Sequence, residues 1–150
     1  MHVHGHMIFV YGSLLSPQLV RELIGYNPSS VAARVSGFRR VPLKDCGYPT
    51  LMKSDISSDE VEGKILFGIT DEALHMLRLY EGDLYTSIEI PVRTESLNVI
   101  NVLAFIARPD VGCCESNWSY DDWFAKGVLE IALEQCRSIR NELHLSSTVM

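Results

Sequence analysis

Glu81 sits where a helical stretch should be burying its apolar face. Thr70 suits an N-cap, Asp71 and Glu72 suit the positive start of a helix, and Gly82 suits its end. The pattern predicts a helix over "TDEALHMLRLYEG", with Leu74 and Leu77 in its apolar stripe. Glu81 lies seven residues, or two turns, beyond Leu74 and returns to nearly the same direction. Burial and the negative end of the helix both penalise an ionised carboxylate and raise its pKa. A carboxylate so placed suits a general base working near neutral pH. The competing reading is a last-turn glutamate pointing into water.

A second stretch, "IFVYGSLLSP" from Ile8 to Pro17, suggests a ligand cradle. The apolar run from Met7 to Tyr11 stops at Gly12-Ser13, and Ser16-Pro17 reads as an N-cap followed by the first helical residue. Glycine lets a ligand approach the backbone closely. The N–H groups of Gly12, Ser13 and Leu14 can therefore face an anion, and the nearby helix start adds positive potential. A tight strand-to-helix turn is the plainer alternative. Tyr11 either caps such a pocket or is a core tyrosine ending a strand. Ser13 either donates its hydroxyl or shapes the turn, and Tyr48 and Tyr85 either wall the pocket or pack.

Other reactive residue types have less support. Cys46 is a nucleophile by type, but His75 falls on the polar side of its helix and His144 near the end of the chain, so a buried thiol is expected. His2, His4 and His6 alternate and would share a face if extended. No Asp, Glu or Cys beside them completes a metal site, so a solvated tail is expected.

The elements that must position Glu81 and the glycine loop follow from periodicity. Met7–Tyr11 reads as a buried strand, and Leu19, Val20, Leu23 and Ile24 mark one face of a short helix ending at Gly25. Val31–Phe38 and Val61–Ile69 read as strands, the second with a glycine that marks a bulge. "KDCGYPTLMKSD" reads as a loop by its turn residues. Tyr85–Arg93 and Asn98–Ala107 read as a hairpin joined through "TESLN". Ser119 opens the last helix, with Phe124, Val128, Ile131, Ala132 and Ile139 at helical spacing and Gly127 as a weak point. The expected fold class is α+β: a mixed, strongly curved, barrel-like sheet with flanking helices. One domain is expected over 8–140, with tails over 1–7 and 141–150.

Composition narrows the function classes. The chain of 150 residues is 47% hydrophobic and can bury a core without metal or disulfides. A formal charge of −6 argues against a nucleic-acid surface. No apolar run approaches the roughly 18 residues a membrane span needs, and the first apolar run is too short for a signal peptide. The four cysteines lack CxxC spacing, and a reducing, cytoplasmic setting is expected.

Tyr11-Gly12-Ser13-Leu14, Tyr48-Pro49, Val61-Glu62-Gly63-Lys64-Ile65, Glu81-Gly82 and Tyr85 occur in the order and spacing of the γ-glutamylcyclotransferase-like family. The chain resembles that family over Ile8 to about Arg140, and "NWSYDDWFAK" is similar to its plant avirulence-induced-gene-like branch. The resemblance implies a barrel-like α+β fold and conversion of a γ-glutamyl amine to 5-oxoproline plus the free amine. It also implies Glu81 as catalytic base and substrate contacts along Val10, Tyr11, Gly12, Ser13, Leu14 and Tyr85. Many relatives carry an arginine two residues after that tyrosine, where this chain has Ser87. The nucleophile is the substrate's own amine, so neither cofactor nor metal is expected, and the expected partner is a small γ-glutamyl compound. The alternatives are the same chemistry on a γ-glutamyl-lysine type amine and a catalytically silent binding module of the same fold.

Overall fold

A computed structural model describes residues 5–44, 48–114 and 116–149, with side chains to 142. Among the described residues there are seven strands: β1 (His6–Val10), β2 (Ser30–Ser36), β3 (Phe38–Pro42), β4 (Pro49–Lys53), β5 (Glu60–Ile69), β6 (Tyr85–Thr94) and β7 (Val99–Ala107). The helices are α1 (Pro17–Ile24), α2 (Asp71–Glu81), α3 (Tyr120–Ala125) and α4 (Val128–Val149), and a 3-10 turn spans Ser13–Leu15.

Five strands close into a barrel in the order β1-β5-β2-β6-β7, and β1 runs parallel to β7 to seal it. The expected α+β barrel-like class is the one observed. Alternation along β1 explains its unbroken apolar sequence. Phe9 joins the cluster inside the barrel with Val35, Ile65 and Val92, while Ile8 and Val10 join the cluster beneath the helices with Leu23, Leu77 and Leu133. Both faces of the strand are therefore buried, and polar alternation has no place in it.

Local chemistry sets the helix ends. Ser16 Oγ accepts from the Leu19 N–H at 3.2 Å, Pro17 takes the first helical position, and Gly25 ends α1 in the left-handed region at φ 88°. Thr70 Oγ1 accepts from the Ala73 N–H at 3.0 Å, and Gly82 closes α2 by donating to the Arg78 carbonyl at 3.0 Å.

Several expectations need correction. "KDCGYPTLMKSD" is not all loop: Pro49–Lys53 forms β4, which pairs with β3 in a separate two-stranded sheet. Gly37, at φ 79°, splits the single strand expected over Val31–Phe38 into β2 and β3. The glycine that marks a bulge in β5 is Gly68: the register shifts beside it, opposite His6–Ile8, while Gly63 pairs regularly with Ala33. Gly127, at φ 76°, ends one helix before the next begins, and Phe124 and Ile131 face solvent at 51% and 68% exposure. At the ends, His6 and Met7 already belong to β1, and α4 continues through 141–149, where a tail was expected. His6 Nε2 lies 2.6 Å from Asp71 Oδ1. Cys46, His2 and His4 lie outside the described residues.

Among the described residues no helix is long and apolar enough to cross a membrane.

Candidate active site

Val10, Tyr11, Gly12, Ser13, Leu14, Glu81 and Tyr85 line one cavity of about 200 Å³. Barrel closure brings them together. β1 delivers the glycine loop at its C-terminal end, α2 delivers Glu81 from its last turn, and β6 delivers Tyr85 at its start.

Glu81 is partly buried, and the loss of solvation raises its pKa from 4.5 to about 8. Leu74 and Leu77, whose direction it shares, are buried in the core beneath the helices. At neutral pH the carboxyl is mostly protonated, and it ionises within reach of the physiological range.

The loop between β1 and α1 is held from several sides. Leu15 N–H donates to the Gly12 carbonyl at 2.9 Å, and Ser16 N–H to the Ser13 carbonyl at 3.1 Å. These bonds leave the N–H groups of Ser13 and Leu14 outside the turn's own ladder, as at any helix start. Lys64 Nζ donates to the Leu15 carbonyl at 3.3 Å, and Arg40 Nη1 to the Tyr11 carbonyl at 2.8 Å. Ser13 Oγ and Tyr80 OH share a hydrogen bond of 2.8 Å.

Gly12 is required for space. Its φ is −126°, open to other residues, but a Cβ there would stand 2.6 Å from Pro49 Cγ and 3.2 Å from Pro49 Cδ. Pro49 itself lines the cavity, and its carbonyl accepts from Tyr85 OH at 2.7 Å.

The two readings of Tyr11 meet halfway. Its ring stacks with Phe9 inside the barrel at 6.1 Å, and its hydroxyl donates to the Phe105 carbonyl, so the side chain belongs to the core. The residue nevertheless lines the cavity, and burial, with the Glu81 charge second, pushes its phenol well above the ordinary range. Tyr80 is raised for the same leading reason, with Tyr48 and Glu81 adding to it. Both phenols stay protonated and act as hydrogen-bonding groups only.

Tyr48, weighed in the sequence as a pocket wall, also lines the cavity, and sequence reasoning missed Phe9, Pro49, Tyr80, Leu84, Phe105 and Gln135, which complete the lining. Tyr80 was within reach of it, because it directly precedes Glu81 on a helix whose end was placed correctly. Gln135 was not, because its position depends on how α4 packs against α2; its Nε2 donates to the Tyr80 carbonyl at 3.4 Å. Ser87 pairs with Phe105 in the β6–β7 ladder. Trp118 and Trp123 are buried as packing residues, and Cys113, Cys114 and Cys136 carry free thiols. Among the described residues no cluster of His, Cys, Asp and Glu is arranged to hold a metal ion.

The closed five-stranded barrel thus carries one cavity that Glu81, at the end of α2, and the Gly12 turn both line. The family model described as "Gamma-glutamyl cyclotransferase, AIG2-like" matches residues 8–125, and the chain belongs to that family. AIG2-like protein D of Arabidopsis thaliana is 29% identical over 143 residues, spanning 93% of this chain and 92% of the relative. AIG2-like protein C of Arabidopsis thaliana is 34% identical over 121 residues, spanning 77% and 67%. A solution structure of another Arabidopsis thaliana protein superposes with a TM-score of 0.63 at 28% identity, covering 84% of this chain and 85% of that one. A structure named gamma-glutamyl cyclotransferase has the same fold, with a TM-score of 0.65 at 19% identity and coverage of 90% and 86%.

Proposed function

We propose that this protein converts a γ-glutamyl amine into 5-oxoproline and the free amine, with Glu81 as general base. The observation that carries the reading is a carboxyl with a pKa of about 8 in the same cavity as the Gly12–Leu14 backbone. The nucleophile and the leaving group both belong to the substrate. The α-amine is protonated in neutral water and must lose a proton before it can attack. A base whose own pKa is raised toward that of the ammonium takes this proton at less uphill cost than an ordinary glutamate would.

The freed nitrogen lone pair attacks the γ-carbonyl carbon, a C–N bond closes the five-membered ring, and the carbonyl oxygen becomes an oxyanion. Collapse of this intermediate breaks the bond to the leaving nitrogen, which takes up the proton held on Glu81; the ring nitrogen then gives its second proton to the freed Glu81 carboxylate, which passes it to the departing amine, so that the lactam and an ammonium product leave and Glu81 is ionised again. Backbone N–H groups of Ser13 and Leu14, together with that of Gly12, supply donors for the substrate carboxylate or the oxyanion. Tyr48, Pro49, Leu84 and Phe105 give the cavity apolar walls that limit water.

A panel of γ-glutamyl compounds, including γ-glutamyl amino acids and a γ-glutamyl-ε-lysine, assayed for 5-oxoproline tests the proposal. Release from at least one member is expected. Binding without release from any member identifies a silent module and overturns the catalytic reading.

A further inference from the structure

We infer that Arg40 is a positioning residue for this site: its guanidinium holds and polarises the Tyr11–Gly12 peptide and thereby strengthens the Gly12 turn as an anion binder. The inference rests on the function proposed above. Arg40 lies on β3 and lines a separate outer cleft beside Glu62 and Trp118, and it reaches the inner cavity through the Tyr11 carbonyl.

The geometry is specific. Nη1 donates to the Tyr11 carbonyl at 2.8 Å and Nε to the Trp118 carbonyl at 3.2 Å. The guanidinium carbon stands 5.3 Å from the centre of the Trp118 ring, and the Trp118 N–H donates back to the Arg40 carbonyl at 2.9 Å. The forked head is thus aimed by one backbone carbonyl and one aromatic face, and its remaining strong bond goes to Tyr11. Burial lowers the guanidinium's pKa, while the Glu62 and Asp121 charges favour its ionised form.

The consequence follows from peptide geometry. In a trans peptide the C=O and N–H point in opposite directions. A cation on the Tyr11 carbonyl therefore draws electron density toward that oxygen and leaves the Gly12 N–H, on the other side, more positive. The same contact fixes the plane of the peptide that opens the turn. Charge-assisted bonds of this kind are stronger than neutral ones, and a half-buried cation behind the loop acts in a medium of low dielectric. β3 and β4 belong to the small sheet that lies outside the barrel. This contact gives that sheet a role at the site in addition to Pro49.

Steady-state kinetics of 5-oxoproline release by the full chain tests the inference, with Arg40→Gln and Arg40→Lys against the parent at equal folded fraction. Arg40→Gln is expected to lower kcat/KM by about 10- to 100-fold, the range for loss of a hydrogen bond to a charged group. Arg40→Lys, which keeps the charge but cannot fork to two carbonyls, is expected to lose about 3- to 10-fold. The pH at which the rate rises should stay where Glu81 sets it, because Arg40 acts on the peptide and not on that carboxyl. A merely structural arginine predicts a lower melting temperature with kcat/KM per folded molecule unchanged, and that result overturns the inference. A shifted pH profile overturns it as well. If Arg40→Gln does not fold, Arg40→Lys decides alone: a rate equal to the parent's is contradictory. A parent that releases no 5-oxoproline from any compound removes the proposed function, and the inference falls with it. That failure is read on the parent alone, whereas failure of the inference is read on the ratio of variant to parent.

Discussion

Ser13 Oγ and Tyr80 OH lie 2.8 Å apart, and this bond ties the loop after β1 to the residue next to Glu81. The two halves of the site, one from the start of the chain and one from its middle, are thus coupled by a buried pair of hydroxyls. Tyr80→Phe removes one of them and leaves the Ser13 hydroxyl buried without its partner. Stability should fall by about 1–3 kcal/mol, the cost of an unsatisfied buried group. The rate of 5-oxoproline release should fall about tenfold, because a misplacement of the base relative to the loop is costly. Thermal melts and kcat/KM measured together check both parts; a stability loss with an unchanged rate would uncouple the bond from the site.

Gly12→Ala should damage binding through Pro49. The added Cβ would stand 2.6 Å from Pro49 Cγ, and Pro49 is held by Tyr85 through its carbonyl, so it cannot swing away freely. A stability loss of about 1–3 kcal/mol is expected from overpacking, together with at least tenfold weaker binding of 5-oxoproline. Calorimetric titration beside a thermal melt reads both. Parental affinity in the variant would mean that ligands do not use this part of the wall.

Gly63→Ala should be the more severe change for folding. A Cβ at Gly63 would meet the Val10 carbonyl oxygen at 2.3 Å and the Phe9 ring at 2.8 Å, both in β1. Backbone cannot rotate out of the way as a side-chain tip can, so the β1–β5 ladder has to open. Equilibrium unfolding should show a loss of about 3 kcal/mol or more, at the upper end for overpacked cores. A loss below about 1 kcal/mol would place the glycine's importance elsewhere.

Much of the cavity lining was legible in the sequence, while much of the framework around it was not. Thr70 and Gly82 bracket a helix by capping rules alone, so the direction of Glu81 could be read before any fold was known. Gly12 stood out in the sequence for the close approach it gives a ligand, whereas the structure shows that the space beside it is bounded by Pro49. That contact joins residues 37 positions apart, and no local pattern carries it. β4 was hidden because Cys46-Gly47-Tyr48-Pro49 gives turn signals immediately before it, and its pairing with β3 depends on a hairpin with a long connection. The contribution of Gln135 needed the packing of α4 and was beyond periodicity. Phe124 and Ile131 failed as core residues because Gly127 resets the helical phase between them.

The raised pKa of Glu81 carries a stability consequence with a definite sign. Its folded-state value of about 8 exceeds the ordinary 4.5, so between those limits the folded protein holds more protons than the unfolded chain. Stability is therefore highest below about pH 4.5 as far as this group is concerned, and declines as pH rises toward about 8. Glu81→Gln carries no such titration. Its melting temperature relative to the parent should climb across that window and level off above it. A difference that stays flat from pH 4.5 to 8 would show a well-solvated carboxylate.

The base assignment itself is tested most directly by 5-oxoproline release from Glu81→Gln across pH. Glutamine keeps the size and shape of the side chain and removes the proton acceptor. The parent rate should rise with pH through about 8 as Glu81 ionises, and the variant should be slower by about 10²–10⁴, the worth of a positioned base, while still binding 5-oxoproline. A variant that turns over γ-glutamyl substrate at the parent rate with the parent's pH profile would contradict the assignment.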